Sequence, residues 1–390
     1  MFANALPMIE TTIKSASILC IGKEWFPKTP GGLDRYVYEL IHQLAVEGDH
    51  IELCAADLPA SSSQDLLHLT NLASTQRSLP QRLWTSRSQF QHRQLSTPNA
   101  INLHFALYSF PLLSSLPKHV PITFTFHGPW AAESEQEGQN FWGTTLKRWM
   151  EQRVYQRCDR FIVLSKAFGK ILHQEYGISW ERIHVIPGGV DTQHFQPSLT
   201  RQQAREKLHW SPDRFILFTP RRLVHRMGLD KLLLALAQVK QAYPDVYLAI
   251  AGKGPLKADL EQQTKELELQ NHVQFLGFLP DEDLPIAYQA ADLTIMPSQS
   301  LEGFGLVLVE SLACGTPALC TPVGGMPEVI GDFSPHLITQ TSGVDSIAHA
   351  LTDILSGQIT LPTRAACSDY AKQRFDWTAI AQQVRQVLLA

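Results

Sequence analysis

Short apolar runs bounded by turn residues alternate with stretches of helical period along this 390-residue chain, and the series starts twice. Runs at 18–22, 51–54, 100–105, 120–126, 160–164 and 183–186 form the first series, with a helical stretch at 36–47 closed by Gly48. Runs at 215–218, 246–251, 273–276 and 290–296 form the second. Apolar strands separated by helices imply parallel sheets, hence an α/β fold. The polar segment 191–212 parts the two series, so an N-terminal domain over 1–195 and a C-terminal domain over 196–369 are expected. Thr360-Leu361-Pro362-Thr363 breaks the pattern before a last helix ending at Ala390. Residues 55–99, rich in Ser, Gln and Leu, give no reading.

The bulk numbers exclude some functions. With 44% hydrophobic and 18% charged residues, the chain has the balance of a soluble globular protein. A net charge of −4 and no long basic run argue against a nucleic-acid partner. The six cysteines include no Cys-x-x-Cys pair, so neither a zinc site nor a disulfide framework is indicated. A reduced, cytoplasmic setting is therefore expected. Met1 to Lys14 carries Pro7 and Glu10, and the apolar stretch 16–22 is too short for export or for spanning a bilayer.

The richest chemistry lies at Ser300-Leu301-Glu302-Gly303-Phe304-Gly305-Leu306-Val307-Leu308-Val309-Glu310. An apolar strand ends at Pro297-Ser298, Gly303 and Gly305 form a tight turn, and the helical pattern from Leu306 stops at Gly315 with Pro317 beyond. Amides at such a helix start can hold a phosphate. Glu302 then faces whatever the phosphate carries, and Glu310, about two turns into the helix, can accept from a pair of vicinal hydroxyls. On the residues alone, a capped helix with one surface and one buried glutamate fits the same spacing.

This segment resembles the signature of the retaining GT-B glycosyltransferases of family 4, and the likeness extends over most of the chain. It implies two Rossmann-like domains facing across a cleft, a nucleotide diphosphate-sugar donor and a hydroxyl acceptor. It also implies that Glu302 lies against the donor sugar, that Gly303, Phe304, Gly305 and Leu306 bind the diphosphate, and that Glu310 holds the ribose. The last helix, 370–390, would cross back onto the N-terminal domain, with Phe375-Asp376-Trp377 near the crossing. The mechanism implied is a front-face displacement in which the leaving phosphate helps deprotonate the acceptor.

Other motifs fit the same frame. Gly31 and Gly32, between the first strand and the first helix, let the backbone approach an anion, and the resemblance puts them opposite the donor phosphates. His127, at a strand end in Phe126-His127-Gly128, matches the family histidine that contacts the donor sugar; a strand-capping histidine is the plainer reading. Asn102-Leu103-His104-Phe105 also reads as a cleft-facing strand end, while Glu133 and Glu135 read as solvated loop charges. In Arg221-Arg222-Leu223-Val224-His225-Arg226-Met227-Gly228, Arg222 aligns with the family arginine that neutralises the diphosphate. Two departures stand out: Arg221 replaces a glycine, and Met227 replaces the expected lysine. Methionine cannot balance phosphate charge, so Arg226 is expected to supply the second cation. Gly252, Gly254, Phe278 and Leu279 fall where the family brackets the nucleobase. Asp281-Glu282-Asp283 precedes a helical pattern and reads as N-capping rather than as the metal-binding Asp-x-Asp of the other major glycosyltransferase fold. No metal or other cofactor is expected. Residues 141–157 mix Trp142, Trp149 and Met150 with Lys147, Arg148, Arg153 and Arg157. That stretch reads as a domain helix or, alternatively, as a basic amphipathic helix touching the inner face of the membrane. A nucleotide-sugar epimerase on the same fold and a nucleotide-binding protein of weak activity are the competing functions, the second motivated by Met227.

Overall fold

The computed structural model describes residues 15–60, 64–93, 97–138 and 140–390. The reading of Met1–Lys14 lies outside them. Two parallel sheets organise the chain. The first holds β1 (Ser17–Ile21), β2 (His50–Ala55), β3 (Leu67–Asn71), β4 (Ala100–Leu103), β5 (Ile122–Phe126), β6 (Arg160–Val163) and β7 (Ile183–Val185). Their order is β3-β2-β1-β4-β5-β6-β7. The second holds β8 (Phe215–Pro220), β9 (Val246–Ala251), β10 (Val273–Gly277), β11 (Leu293–Met296) and β12 (Ala318–Cys320), in the order β10-β9-β8-β11-β12. All the strand pairs are parallel.

Strand order reverses between β1 and β4 in the first sheet and between β8 and β11 in the second. Loops leaving neighbouring strands in opposite directions open a crevice at the carboxyl ends of such strands. The motifs sit there. Gly31 follows β1, His104 follows β4, His127 follows β5, Arg221 follows β8, and Glu302 lies beyond β11. The strands between them are almost wholly buried, β4, β5 and β11 along their full length. Burying each such Leu, Ile or Phe stabilises the fold by roughly 1.5–3 kcal/mol, which fixes register and therefore the place of each loop.

Three elements differ from the sequence reading. Residues 55–99 hold β3 and the helix Leu79–Gln91. β3 is an edge strand buried only at Leu67, so it shows no apolar run. β12, three residues long, falls below any periodic signal. The C-terminal stretch is two helices, Arg364–Phe375 and Trp377–Leu389, because Asp376 is extended and its side chain caps the second by accepting from the Thr378 amide. The return to the first sheet is made at this joint. The Val190 amide donates to the Phe375 carbonyl at 2.7 Å, and Trp377 packs edge-on to Tyr36 at 5.0 Å. A Cβ on Gly189 would come within 2.4 Å of the Trp377 ring, so only glycine admits this packing. Arg385 then clamps the buried Asp49 carboxylate at 2.7 and 2.9 Å.

Candidate active site

Two helix starts face each other across the cleft. The helix Gly32–Val46 begins after Gly31, and Leu306–Ala313 begins after Gly305, whose φ of 92° is left-handed and suits glycine. Neither cap residue supplies a side chain to the first turn. A Cβ on Gly32 would lie 3.7 Å from the Leu306 side chain, so the two starts nearly touch. The amides of Gly303, Phe304, Gly305 and Leu306 donate to no described group. Unpaired donors at a helix start carry partial positive charge and suit an anion.

Glu302 is held rather than free. Its Oε2 accepts from Arg221 Nη2 and from Ser298 Oγ at 3.3 Å. Arg221, 9% exposed, also donates to Ser298 Oγ at 2.7 Å and lies against the Met227 sulfur. Met227 is itself buried in that contact. Leu301, just before Glu302, has φ 49°, a costly conformation for a bulky residue. Its carbonyl is tied to Arg226 Nη1 at 3.1 Å.

Arg222 and Arg226 converge from the second domain on one carboxylate of the first. Arg222 Nη2 lies 3.1 Å and Arg226 Nε 3.8 Å from Glu137 Oε1, and Arg226 Nη2 is 3.6 Å from Glu133. The two arginines differ in depth, with side chains 57% and 9% exposed. Glu133 belongs to the helix Trp130–Gln136 and faces this cluster, so the expectation of a solvated loop charge is wrong for it. Burial raises its carboxyl pKa, partly offset by Arg226. Glu135 does remain largely exposed.

Glu310 is the meeting point of a third set. Tyr288, fully buried, donates its hydroxyl to Oε2 at 2.8 Å, and Arg35 Nη1 approaches Oε1 at 3.5 Å. Arg35 also forms an ion pair with Asp281. Its guanidinium is stacked between the Phe26 and Phe195 rings, at 4.6 and 5.0 Å from their centroids. Asp281 therefore serves the cleft, with His194 Nε2 3.3 Å away, and Asp283 makes no side-chain cap bond. The capping reading of this acidic run is thus corrected: the helix begins with Leu284-Pro285, and backbone bonds to Pro280 close the turn.

His127 Nε2 and His104 Nδ1 are 3.2 Å apart, and Tyr36 meets the His127 ring edge-on at 4.9 Å. Burial pushes the His127 pKa down to about 3, and that of His104 well below the usual range, so both rings are neutral at pH 7. Gly252 and Gly254 owe their identity to backbone packing, since a Cβ would come within 2.0 Å of the Arg221 carbonyl and 2.3 Å of the Leu223 carbonyl. Phe278, 46% exposed, offers its ring beside the Lys253 ammonium; Leu279 is half-buried. No cluster of three metal-ligating side chains occurs among the described residues. Arg35, Tyr288, Ser298 and Glu137 carried no sequence signal, and Arg221 signalled only by replacing a glycine.

Comparison with known proteins assigns the family. The family model for glycosyl transferases group 1 matches residues 200–374, and that for glycosyltransferase family 4 matches residues 30–194. The chain belongs to the group 1 glycosyltransferases of family 4. It is 33% identical over 192 residues to a GDP-mannose-dependent alpha-(1-6)-phosphatidylinositol monomannoside mannosyltransferase of Mycolicibacterium smegmatis, a match covering 48% of this chain and 49% of that protein. Against mannosylfructose-phosphate synthase of Agrobacterium fabrum the identity is 28%, over 59% of this chain and 53% of the relative. The chain thus spans about half the length of these two curated relatives. It is 27% identical to D-inositol 3-phosphate glycosyltransferase of Rhodococcus erythropolis over 89% of this chain and 84% of the relative. Among solved structures, sucrose-phosphate synthase from Thermosynechococcus elongatus superposes with a TM-score of 0.79 at 22% identity, covering 95% and 98% of the two chains. Anabaena HepE in complex with UDP-glucose gives 0.73 at 21% identity, covering 96% and 99%. This family member therefore has the GT-B fold, two α/β domains each built on a parallel sheet.

Proposed function

We propose that this chain is a retaining glycosyltransferase that moves a sugar from a nucleotide diphosphate-sugar to a hydroxyl acceptor, with no metal ion taking part. One observation carries the reading: Arg222 and Arg226 converge on a single oxygen of Glu137. Arg226 also grips the turn that leads to the unpaired amides of residues 303–306. Two guanidiniums and a helix start are the donors a diphosphate needs, and Glu137 holds its place. Residues 1–195 with 370–390 would form the acceptor domain and 196–369 the donor domain.

Each residue has a role in this reading. Arg222, Arg226 and the turn amides stabilise the departing diphosphate, an interaction strongest in the transition state. The bond from the anomeric carbon to the phosphate oxygen breaks, and the acceptor oxygen bonds to the same face of that carbon. The acceptor proton passes to the departing phosphate. Arg221 and Ser298 fix the Glu302 carboxylate toward the sugar, and neutral His127 offers a hydrogen bond without charge. Glu310 takes the ribose hydroxyls once Arg35 releases it. Gly31 and Gly32 face the phosphates; Gly252, Gly254, Phe278 and Leu279 border the base. A GDP-mannose-dependent relative and a structural neighbour in complex with UDP-glucose support a nucleotide-sugar donor.

The test is thermal stabilisation by UDP, GDP and ADP in the presence of a chelator. One nucleotide should raise the melting temperature selectively, by mass action on the native state. No shift with any of them would overturn the reading. Product of inverted anomeric configuration would overturn retention alone, and an altered free sugar without transfer would point to an epimerase.

A further inference from the structure

The helix Phe141–Arg157 leaves an unusual face to solvent. Phe141 is 73% exposed, Trp142 81%, Leu146 50% and Trp149 44%. Trp142, Leu146 and Trp149 follow one another at i, i+4 and i+7 along one stripe, with Phe141 beside it at the helix start. Arg153 is exposed on that stripe, over the Trp149 ring, and Arg148 is exposed on the Phe141 side. The helix has one carboxylate, Glu151, which is 1% exposed and takes the Tyr176 hydroxyl at 2.9 Å. From the neighbouring helix, Glu135 reaches Arg148 only at 3.8 Å.

The charge pattern extends beyond this helix. The 3-10 turn Phe110–Leu112 is packed between it and the helix Leu79–Gln91, which exposes Trp84 and Arg87 and contains no acidic residue. No Asp or Glu occurs anywhere between Asp65 and Glu133, although the whole chain is net acidic. A shallow, open depression lies beside the turn, lined by Phe110, Leu113, Trp149, Arg153, Gln156 and Arg157. Three apolar side chains and two arginines line it, Arg157 donating to the Pro117 carbonyl at 3.0 Å.

We propose that this face docks the protein on an anionic phospholipid surface. Indole and phenyl rings settle at the boundary between headgroups and acyl chains, while guanidiniums pair with lipid phosphates. A surface with exposed aromatics and cations, and with Glu135 as the exposed carboxylate beside Arg148, fits that boundary better than it fits water. No helix among the described residues is long and apolar enough to cross a membrane, so the contact is peripheral. Glu137, which meets Arg222 and Arg226 in the cleft, precedes Phe141 by four residues. Docking therefore brings the cleft to the lipid surface. The inference extends the proposed function by naming where a hydroxyl acceptor would be presented, but lipid binding itself requires neither donor nor acceptor.

The test is sedimentation with vesicles of phosphatidylcholine alone and of equal parts phosphatidylcholine and phosphatidylglycerol, at low and high salt. Wild-type protein should bind the mixed vesicles and release at high salt. Trp142→Ser with Leu146→Ser, and separately Arg148→Glu with Arg153→Glu, should each weaken binding about tenfold or more. All four side chains project from the fold, and nucleotide-dependent thermal stabilisation, if wild type shows it, serves as the check that the cleft is intact. Absence of binding to mixed vesicles, equal binding to neutral ones, or unchanged binding by both variants would overturn the proposal. A lipid-free dimer abolished by Trp142→Ser with Leu146→Ser would also overturn it, assigning the face to a second copy. None of these outcomes bears on the transferase reading, which the nucleotide experiment decides.

Discussion

Arg35 and Glu310 face each other across the cleft, Nη1 to Oε1 at 3.5 Å, one on the first helix of the chain and the other on the helix after the glycine turn. Glu310 is thus shared between a fixed cation from the opposite domain and the buried Tyr288 hydroxyl at 2.8 Å. A ribose entering this position exchanges one donor for two, with Tyr288 unmoved. Glu310→Ala should then do two separable things. It strands the Tyr288 hydroxyl in a closed site, which costs about 1–3 kcal/mol of stability. It also removes the proposed ribose acceptor, which in that reading weakens nucleotide binding by roughly 30- to 1,000-fold. Adding Tyr288→Phe should recover much of the stability and none of the affinity. Chemical denaturation and nucleotide titration of wild type and the two variants check this.

Glu39 makes the same region sensitive to pH. Burial, then Asp191 and Glu310, push its carboxyl up to about 7, with Arg35 opposing. The folded state therefore binds this proton more tightly than the unfolded chain, whose glutamates titrate near ~4.3. Its contribution to stability is complete below that value and is lost as pH rises to about 7, staying lost above it. Glu39→Gln lacks this loss. Its melting temperature should match wild type near the acid end and exceed it by an amount growing toward neutrality, equivalent to on the order of 1–2 kcal/mol. A constant gap across the range would contradict the assignment.

The three arginines after β8 should separate cleanly. Arg221 and Glu302, with side chains 7% and 13% exposed, form a buried pair. Arg221→Met leaves the carboxylate uncompensated and should destabilise the protein by about 3–5 kcal/mol. Arg222→Ala removes a half-exposed pair, worth about 0–1 kcal/mol. Yet in the proposed mechanism Arg222→Ala and Arg226→Ala each lower turnover by about 10²–10³. Melting curves beside transfer rates test the split. Unchanged turnover in Arg226→Ala would sink the idea that it stands in for the lysine missing at Met227.

Much of this was legible because burial writes itself into sequence. The strands at 100–103, 122–126 and 293–296 are buried throughout and mostly apolar, so they announced themselves, and the glycine turn at 303–305 marked the helix start. β3 alternates and lies at an edge, so it did not. Arg35, Glu137 and Tyr288 were invisible for a different reason. Their partners are 275, 85 and 22 residues away in the chain, and only tertiary packing brings them together. Local pattern also misled at Asp281, whose place after Pro280 suggested a cap while its side chain serves Arg35.

The contact between the glycine turn and the first domain gives a last expectation. Ser165 Oγ donates to the Gly303 carbonyl at 2.6 Å, and the Glu328 carboxylate takes the Lys166 and Ala167 amides at 2.8 and 2.9 Å. An anion at the start of that helix also meets its positive end, so the clamp is electrostatic as well as geometric. A Cβ on Gly325 would fall 2.3 Å from the Gly303 carbonyl and 2.6 Å from the Ser165 Cβ, where backbone cannot yield cheaply. Gly325→Ala should force the two domains apart while leaving the Glu310 and Tyr288 contact within the second domain. Small-angle scattering should show a larger radius of gyration, and transfer should fall more than nucleotide binding does. Ser165→Ala, which removes one bond without adding bulk, should shift both in the same direction by less. If Gly325→Ala transfers sugar normally at an unchanged radius, closure through this turn plays no part in catalysis.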